Sequence, residues 1–283
     1  MEGVRPESKF VHVNGLNIHY LDWGGGATRT LILQHGLTSN AHYWDHIAAK
    51  LADEFRVIAF DTRGCGDSDW AKTGYAVQTY ASDVVEIARA LGAIPFVFCG
   101  HSQGSRAGIP LGAYWGQFIT HLVLGDYGPM PDQSEEGKRV ARRRMQRSGE
   151  RPRGFRSPEE AFEWFQEQEP ERQPDELYRR IKYELRLNWA GKLVWRADPE
   201  IFWLTGSTGL KEGPFLWDCL ARISCKTMVL RGSQSDVLDG AQAKRMASLI
   251  PHGILREVPE TGHGLFIEQP ERCIEILKEF LIS

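Results

Sequence analysis

The sequence predicts an α/β fold in which a mostly parallel sheet carries helices on both faces and a helical segment interrupts the order of the sheet. Short apolar runs typical of buried strands alternate with segments of helical periodicity over residues 1–130. The same alternation resumes near residue 226, after a stretch of different composition. We therefore expect a discontinuous core formed by residues 1–130 and 218–283, with residues 131–217 as a helical cap or lid.

The individual elements follow from local patterns. Runs 10–13 and 16–21 flank Asn14-Gly15, a dipeptide typical of a tight turn between two strands. Further strands are expected at 30–34, 55–60, 95–99, 121–124, 226–232 and 254–258, and helices at 43–51, 77–91, 105–115, 241–250 and 270–281. Within the interrupting stretch, residues 162–165 and 177–187 predict amphipathic helices.

The most informative motif is the run Gly100-His101-Ser102-Gln103-Gly104, which follows an apolar strand and precedes a helix. A serine at such a turn, with glycine two residues before and two after, is typical of a nucleophile elbow. The turn is so tight that a Cβ at either flanking position would clash, and the serine is held in a strained conformation. The following helix points its N-terminus at the hydroxyl, where backbone N–H groups favour developing negative charge.

A serine nucleophile needs a base within hydrogen-bond reach and an acid that orients the base. In elbow-type enzymes the chain order is serine, acid, histidine. Among nine histidines, His263 alone follows the last predicted strand with a glycine on each side, so we predict it as the base. Asp236 follows the strand before it and is preferred as the acid, while Asp126, which follows the strand after the elbow, is the alternative.

The tetrahedral intermediate of acyl transfer needs two donors for its oxyanion. One is expected to be the backbone N–H of Gln103, directly after the nucleophile. The other should come from the loop after the strand at 30–34, which makes the N–H of Leu37 the candidate. In that loop Gly36 lets the backbone pass close to the substrate, and His35 is expected to brace the loop by hydrogen bonds.

Composition excludes several other classes of function. The chain has 283 residues and a net charge of −3, so neither nucleic acid nor a membrane is expected as a partner. The charged N-terminus lacks the apolar region of a signal peptide, and no apolar run is long enough to span a bilayer. Five irregularly spaced cysteines without a CxxC motif favour a reduced, cytoplasmic compartment over a disulfide framework or a zinc site. The oligomeric state, monomer or homodimer, stays open.

Together these stretches resemble the α/β-hydrolase superfamily. The matching residues run from about residue 10 to the C-terminus, and they are His35-Gly36-Leu37, Asp61-Thr62-Arg63-Gly64-Cys65-Gly66-Asp67-Ser68, the elbow, Arg231-Gly232 to Asp236, and Gly262-His263. The resemblance implies an eight-stranded, mostly parallel sheet and a helical cap. Within the superfamily the chain is similar to compact bacterial carboxylesterases, lactonases, amide hydrolases, including an enamide-cleaving one, and carbon–carbon hydrolases of ring-cleavage pathways.

At two positions the chain differs from particular branches of the superfamily, and these differences narrow the range of expected activities. Haloalkane dehalogenases and epoxide hydrolases carry aspartate at the nucleophile, where this chain has Ser102. Ring-cleavage hydrolases and perhydrolases often carry methionine after the serine, where this chain has Gln103. Both departures argue against the corresponding activities.

The predicted function is therefore cleavage of a carboxylic ester, lactone or amide of a small molecule through an acyl-enzyme, without metal or organic cofactor. The alternatives are hydrolysis of a carbon–carbon bond in a ring-cleavage product, a ligand receptor built on a hydrolase fold, and a cofactor-free oxygenase. Cap tryptophans and arginines could contact substrate, but packing of the tryptophans and a solvated arginine face are the preferred interpretations.

Overall fold

The computed structural model of the protein describes residues 5–25, 28–130, 135, 139, 151–170 and 172–282, with the backbone alone over 202–210. The strands are β1 (Glu7–Val13), β2 (Leu16–Asp22), β3 (Thr30–Gln34), β4 (Arg56–Phe60), β5 (Phe96–His101), β6 (Ile119–Gly125), β7 (Leu185–Leu187), β8 (Leu193–Trp195), β9 (Lys226–Gly232) and β10 (Gly253–Val258). The helices are α1 (Asp45–Leu51), α2 (Val77–Ala90), α3 (Gln103–Trp115), α4 (Pro158–Gln168), α5 (Pro174–Glu184), α6 (Glu200–Leu220), α7 (Gly240–Leu249), α8 (Leu265–Glu268) and α9 (Pro270–Ile282), with 3₁₀ turns at Ala41–Trp44 and Gly116–Phe118.

Eight of these strands form one sheet in the order β1-β2-β4-β3-β5-β6-β9-β10. The hairpin pair β1–β2 and the pair β2–β4 are antiparallel, and every other pair in this sheet is parallel. This confirms the predicted α/β fold and the eight-stranded, mostly parallel sheet. All the parallel strands end at one edge, so the loops that follow β3, β5, β6, β9 and β10 gather there.

Alternation along each strand divides the core between the two faces of the sheet. On β3, Leu31 and Leu33 pack with α1 and α9, while Ile32 between them packs with α2 and α3. Every residue of β3 is buried, as expected for a parallel strand covered on both sides. Each such aliphatic side chain contributes about 1.5–3 kcal/mol by burial, so both helical layers are needed to hold the sheet.

The interrupting stretch has an apolar cluster of its own, formed by Phe155, Ala161, Phe165, Leu177, Ile181 and Leu185. Helix α4 begins where the Ser157 side chain accepts a hydrogen bond from the Glu160 N–H. The helix predicted over 177–187 ends earlier, at Glu184, because the next three residues pair with β8 in an antiparallel hairpin. This part is therefore helical with a small two-stranded sheet.

Helix α6 leads from this stretch back into the core. The boundary expected between residues 217 and 218 falls inside α6. There Leu216 and Leu220 are both buried in the same apolar core as Ile32, α2 and α3. Just before α6, the buried Asp198 carboxylate accepts a hydrogen bond from the Tyr75 hydroxyl at 2.6 Å. This bond ties the start of α6 to the loop between β4 and α2.

Candidate active site

Ser102 lies in the turn between β5 and α3, as the elbow motif predicts. Its backbone has φ 55° and ψ −114°, a strained combination for a residue with a side chain. A Cβ at Gly100 would collide with the Gly104 carbonyl, and a Cβ at Gly104 would collide with the Gln34 carbonyl. The two glycines therefore allow the turn that lifts the Ser102 hydroxyl above the end of the sheet.

The His263 ring joins Ser102 to a buried carboxylate. Nε2 of His263 lies 3.0 Å from Oγ of Ser102, and Nδ1 lies 2.8 Å from Oδ2 of Asp126. A carboxylate accepts hydrogen bonds, so Nδ1 carries the proton and Nε2 is free to accept from the serine hydroxyl. This is the tautomer that a general base needs, and the arrangement can take a proton from Ser102 when the hydroxyl attacks a carbonyl.

Asp126 is completely buried, and three donors converge on its carboxylate. Besides His263, the N–H of Gly232 donates to Oδ1 at 3.0 Å and the Ser235 hydroxyl donates to Oδ2 at 2.5 Å. Its backbone has φ 50°, which turns the chain sharply at the end of β6. These donors compensate the loss of water around the carboxylate and fix its orientation toward the imidazole.

The preference for Asp236 as the partner of His263 was wrong. Asp236 is exposed in the loop after β9, and the two hydrogen-bond partners of the His263 ring are Ser102 and Asp126. β9, which precedes Asp236, lies between β6 and β10, and at its end the Gly232 N–H and the Ser235 hydroxyl hold the carboxylate of Asp126, so it is this carboxylate that faces the ring. The order serine, acid, histidine is satisfied by both aspartates, so it could not separate them.

The loop after β3 approaches Ser102 closely. A Cβ on Gly36 would lie 2.9 Å from Cβ of Ser102, so the backbone of this loop passes directly over the serine. The N–H groups of Leu37 and Gln103 donate to no backbone or side-chain acceptor among the described residues. Two unused donors beside a nucleophile are what an oxyanion requires.

His35 fixes the orientation of this loop. Its Nε2 accepts a hydrogen bond from the Thr62 N–H at 3.0 Å, so Nδ1 carries the proton and donates to the Gly36 carbonyl at 2.6 Å. The carbonyl of Gly36 and the N–H of Leu37 belong to one trans peptide and point in opposite directions. Burial lowers the pKa of His35, although the nearby Asp61 opposes this shift, and the neutral ring suits both hydrogen bonds.

His19, Asp61 and Asp67 form a group whose nitrogen and oxygen atoms are close enough to hold a metal ion. Their existing bonds explain the group as a brace: Asp61 accepts from the Ala41 N–H at 2.6 Å, from Nδ1 of His19 at 2.7 Å and from the Asp67 N–H at 2.8 Å. Burial alone would raise the pKa of Asp61, but the hydrogen bond and charge of His19, together with His35 and the Asp67 N–H, outweigh burial and the pKa is lowered. Asp67 also pairs with Arg196.

The aromatic residues of the interrupting stretch mostly pack against each other. The rings of Trp164 and Trp195 lie 5.6 Å apart, and each contacts Phe155 and Phe165, which supports the packing interpretation for these two tryptophans. Of the arginines considered as substrate contacts, residues 142, 143, 144 and 147 lie outside the described residues. Arg151 lies over the Trp195 ring, and Arg156 pairs with Glu160.

Comparison with known proteins shows the family of the chain. The chain belongs to the alpha/beta hydrolase family, whose model matches residues 31–276. It is 28% identical over 277 residues to a 3-hydroxybutyrate-oligomer hydrolase of Cupriavidus necator, with 92% of this chain and 91% of the relative covered. It is 28% identical over 285 residues to an esterase of Mycobacterium tuberculosis, with 99% of this chain and 91% of the relative covered.

A solved structure of E-2-(acetamidomethylene)succinate hydrolase has the same fold. It superposes with a TM-score of 0.87 at 22% identity and covers 98% of this chain and 100% of its own. No helix in the described part of the chain combines the length and the apolar character needed to cross a membrane.

Proposed function

We propose that the protein is a serine hydrolase that cleaves a carboxylic ester, lactone or amide of a small molecule through an acyl-enzyme. Ser102 is the nucleophile, His263 the general base and Asp126 the orienting acid. The observation that carries the proposal is the continuous chain of hydrogen bonds from Oγ of Ser102 through the His263 ring to Oδ2 of Asp126. That chain joins three loops at the edge where ligands of open α/β sheets bind.

The first half of the reaction forms the acyl-enzyme. Nε2 of His263 takes the proton of the Ser102 hydroxyl while Oγ attacks the substrate carbonyl carbon. The tetrahedral intermediate then expels the alkoxide or amine, which receives that proton from His263. Asp126 stabilises the imidazolium that forms between these two transfers and is not itself protonated.

The second half releases the acid. A water molecule gives a proton to Nε2 of His263 and attacks the acyl carbon, and the collapse of the second intermediate returns the proton to Oγ of Ser102. In both halves, the N–H groups of Leu37 and Gln103 bind the oxyanion. Helix α3 begins at Gln103. The positive end of its dipole points at the oxyanion and stabilises it further.

The named relatives support an acyl substrate. One is a hydrolase of 3-hydroxybutyrate oligomers and another is an esterase, and both align over nearly the whole chain. A small-molecule ester is therefore the substrate class to test first, with lactones and amides next.

The five cysteines are all buried and unpaired, which supports the cytoplasm as the place of action.

The test is labelling by a fluorophosphonate, followed by turnover of a short-chain aryl ester. The wild type is expected to label at Ser102 and to hydrolyse the ester, while Ser102→Ala loses labelling and at least about 10⁴-fold in turnover. Ser248→Ala, at an exposed serine on α7, is the matched control and should behave like wild type. Full turnover by the Ser102→Ala protein would refute the proposal.

A panel of substrates separates the remaining alternatives. Esters, lactones, amides and vinylogous diketones are compared under the same conditions. A preference for the diketones indicates carbon–carbon hydrolysis, and tight ligand binding without repeated turnover indicates a receptor. Uptake of oxygen with a quinolone-type substrate indicates a cofactor-free oxygenase.

A further inference from the structure

The residue before the nucleophile contacts the backbone of the base. His101 is the last residue of β5 and is buried, and its Nε2 lies 2.8 Å from the carbonyl oxygen of His263. A carbonyl oxygen can only accept, so Nε2 of His101 carries a proton and donates it to this bond. The side chain of the residue directly before Ser102 therefore also holds the main chain of His263.

Ring contacts on both sides keep His101 in this position. One face stacks on Tyr43, with the ring centroids 5.0 Å apart and the planes inclined by 7°. The His263 ring lies 4.8 Å away, and Phe266 contacts His101 edge-on. A buried imidazole enclosed in this way has little freedom to turn, so the direction of its N–H is fixed.

The His263 loop needs such an anchor. His263 lies between β10 and α8, its side chain is partly exposed, and a glycine stands on each side of it. Glu268 on α8 accepts hydrogen bonds from the N–H groups of Gly262 and Gly264 at 2.6 and 3.0 Å. That contact ties the loop to the helix that follows it, whereas the His101 contact ties it to the strand that carries Ser102.

We propose that His101 is a positioning residue, whose Nε2–H holds the His263 main chain so that the imidazole stays within reach of Ser102. The inference rests on the proposed function, because it assigns His101 a role in the same reaction. His101 does not itself exchange a proton with substrate. Its effect is geometric, since misplacement of a catalytic group by about 1 Å can lower the rate by about 10²-fold.

Two substitutions of His101 distinguish the contribution of its N–H donor from that of its aromatic ring. His101→Gln keeps an N–H donor at a similar distance from the backbone and loses the aromatic ring. His101→Phe keeps an aromatic ring for the Tyr43 stack and loses the donor. His12→Phe, at an exposed histidine on β1, is the matched control.

The rate constant for fluorophosphonate labelling of Ser102 is measured for each variant, with the folded fraction determined by near-UV circular dichroism. For His101→Phe we expect a fall of about 10- to 100-fold in labelling and in kcat, with KM nearly unchanged. His101→Gln should recover most of this loss, and His12→Phe should match wild type. Equal losses in the two His101 variants, a larger loss in His101→Gln, or no loss in His101→Phe would overturn the proposal.

A second readout does not depend on turnover. The low-field proton resonance of Nδ1–H of His263, in its hydrogen bond to Asp126, reports how well the ring is held. It is expected to persist in His101→Gln and to broaden or vanish in His101→Phe, and an unchanged resonance in His101→Phe would contradict the inference. A wild-type protein that has this resonance but neither labels nor turns over would instead disprove the proposed function.

Discussion

Asp126 and His263 are 137 residues apart in the chain, yet Oδ2 of Asp126 lies 2.8 Å from Nδ1 of His263. The contact is possible because β6 lies beside β5, so the residue that follows β6 emerges next to the elbow. The backbone N–H of Asp126 also donates to the Leu230 carbonyl at 2.8 Å, which anchors the turn to β9. Asp126, the proposed acid, is therefore anchored to both β6 and β9, and its side chain orients the imidazole.

Replacing Asp126 by asparagine should disable the base while leaving the fold intact. The amide can donate to Nδ1, which favours the tautomer with the proton on Nε2, and that tautomer cannot accept from Ser102. We expect kcat/KM for an aryl ester to fall by a factor on the order of 10⁴. Asp236→Asn is the matched comparison and should keep most of its activity, because the carboxylate that Nδ1 of His263 bonds to is that of Asp126. A greater loss in Asp236→Asn would contradict this assignment of the acid.

Much of the fold could be predicted because its signals are local. The elbow is a run of five residues at a strand–helix junction, and the Asn14-Gly15 turn lies between β1 and β2, with Val13 paired to Leu16. Ser102 could be singled out from its own neighbours for the same reason. His263 could be selected as the candidate base because glycines mark a loop after the last strand, and the structure brings its Nε2 to 3.0 Å from Oγ of Ser102.

The acid could not be identified in this way because its selection depends on a non-local property. Both aspartates follow strands that end at the same edge of the sheet, and the long-range contacts that hold the Asp126 carboxylate, from the Gly232 N–H and the Ser235 hydroxyl, form only in the folded chain. The hairpin β7–β8 was missed for a related reason. Leu185 continues the apolar periodicity of α5, and only its pairing with Trp195 makes it part of a strand. The turn between them carries a local signal, since Oδ1 of Asn188 accepts from the N–H groups of Ala190 and Lys192.

His35 should be needed for oxyanion stabilisation although it does not contact Ser102 by a hydrogen bond. In His35→Phe, the Gly36 carbonyl and the Thr62 N–H lose their buried partner, and the Leu37 peptide is free to rotate. We expect kcat to fall by about 10²-fold, since loss of one oxyanion donor costs about 10²–10³. The free energy of unfolding should fall by about 1–3 kcal/mol because a buried group loses its hydrogen bond.

Steady-state kinetics and urea unfolding measure both effects of His35→Phe. His46→Phe, at an exposed histidine on α1, serves as the control and should change neither quantity greatly. If His35→Phe lost stability but retained kcat, the loop would be braced by His35 without any effect on the oxyanion donors.

Stability should decrease as the pH falls below about 6.5, the ordinary pKa of histidine. Burial, with Arg29 and Lys226 adding to it, lowers the pKa of His121 to about 4. Between these two values the unfolded chain binds a proton that the folded protein does not, so acid favours unfolding. The lowered pKa of the buried His35 acts in the same direction. Above pH 6.5 neither histidine contributes to the pH dependence, because both are neutral in the folded and unfolded states.

The contribution of His121 can be isolated by His121→Leu. Urea midpoints measured between pH 4 and pH 7 should decline less steeply in this variant than in wild type, because one protonation of the unfolded chain is removed. His12→Leu, at the exposed histidine on β1, should leave the slope nearly unchanged. A steeper decline in His121→Leu than in wild type would mean that protonation of His121 stabilises the folded state instead.

Gly36 tests how closely the oxyanion loop must approach the nucleophile. In Gly36→Ala the new methyl group would lie 2.9 Å from Cβ of Ser102 and 3.4 Å from its Oγ, so either the serine or the loop has to move. Both movements separate the donors from the position of the oxyanion, and we expect labelling of Ser102 to slow by about 10²-fold. Gly240→Ala is the control, because among the described residues outside its own stretch of chain the nearest atom to its methyl group would be Cζ of Arg231, at 3.9 Å. If Gly36→Ala labelled as fast as Gly240→Ala, the approach of this loop to Ser102 would have no part in binding the oxyanion.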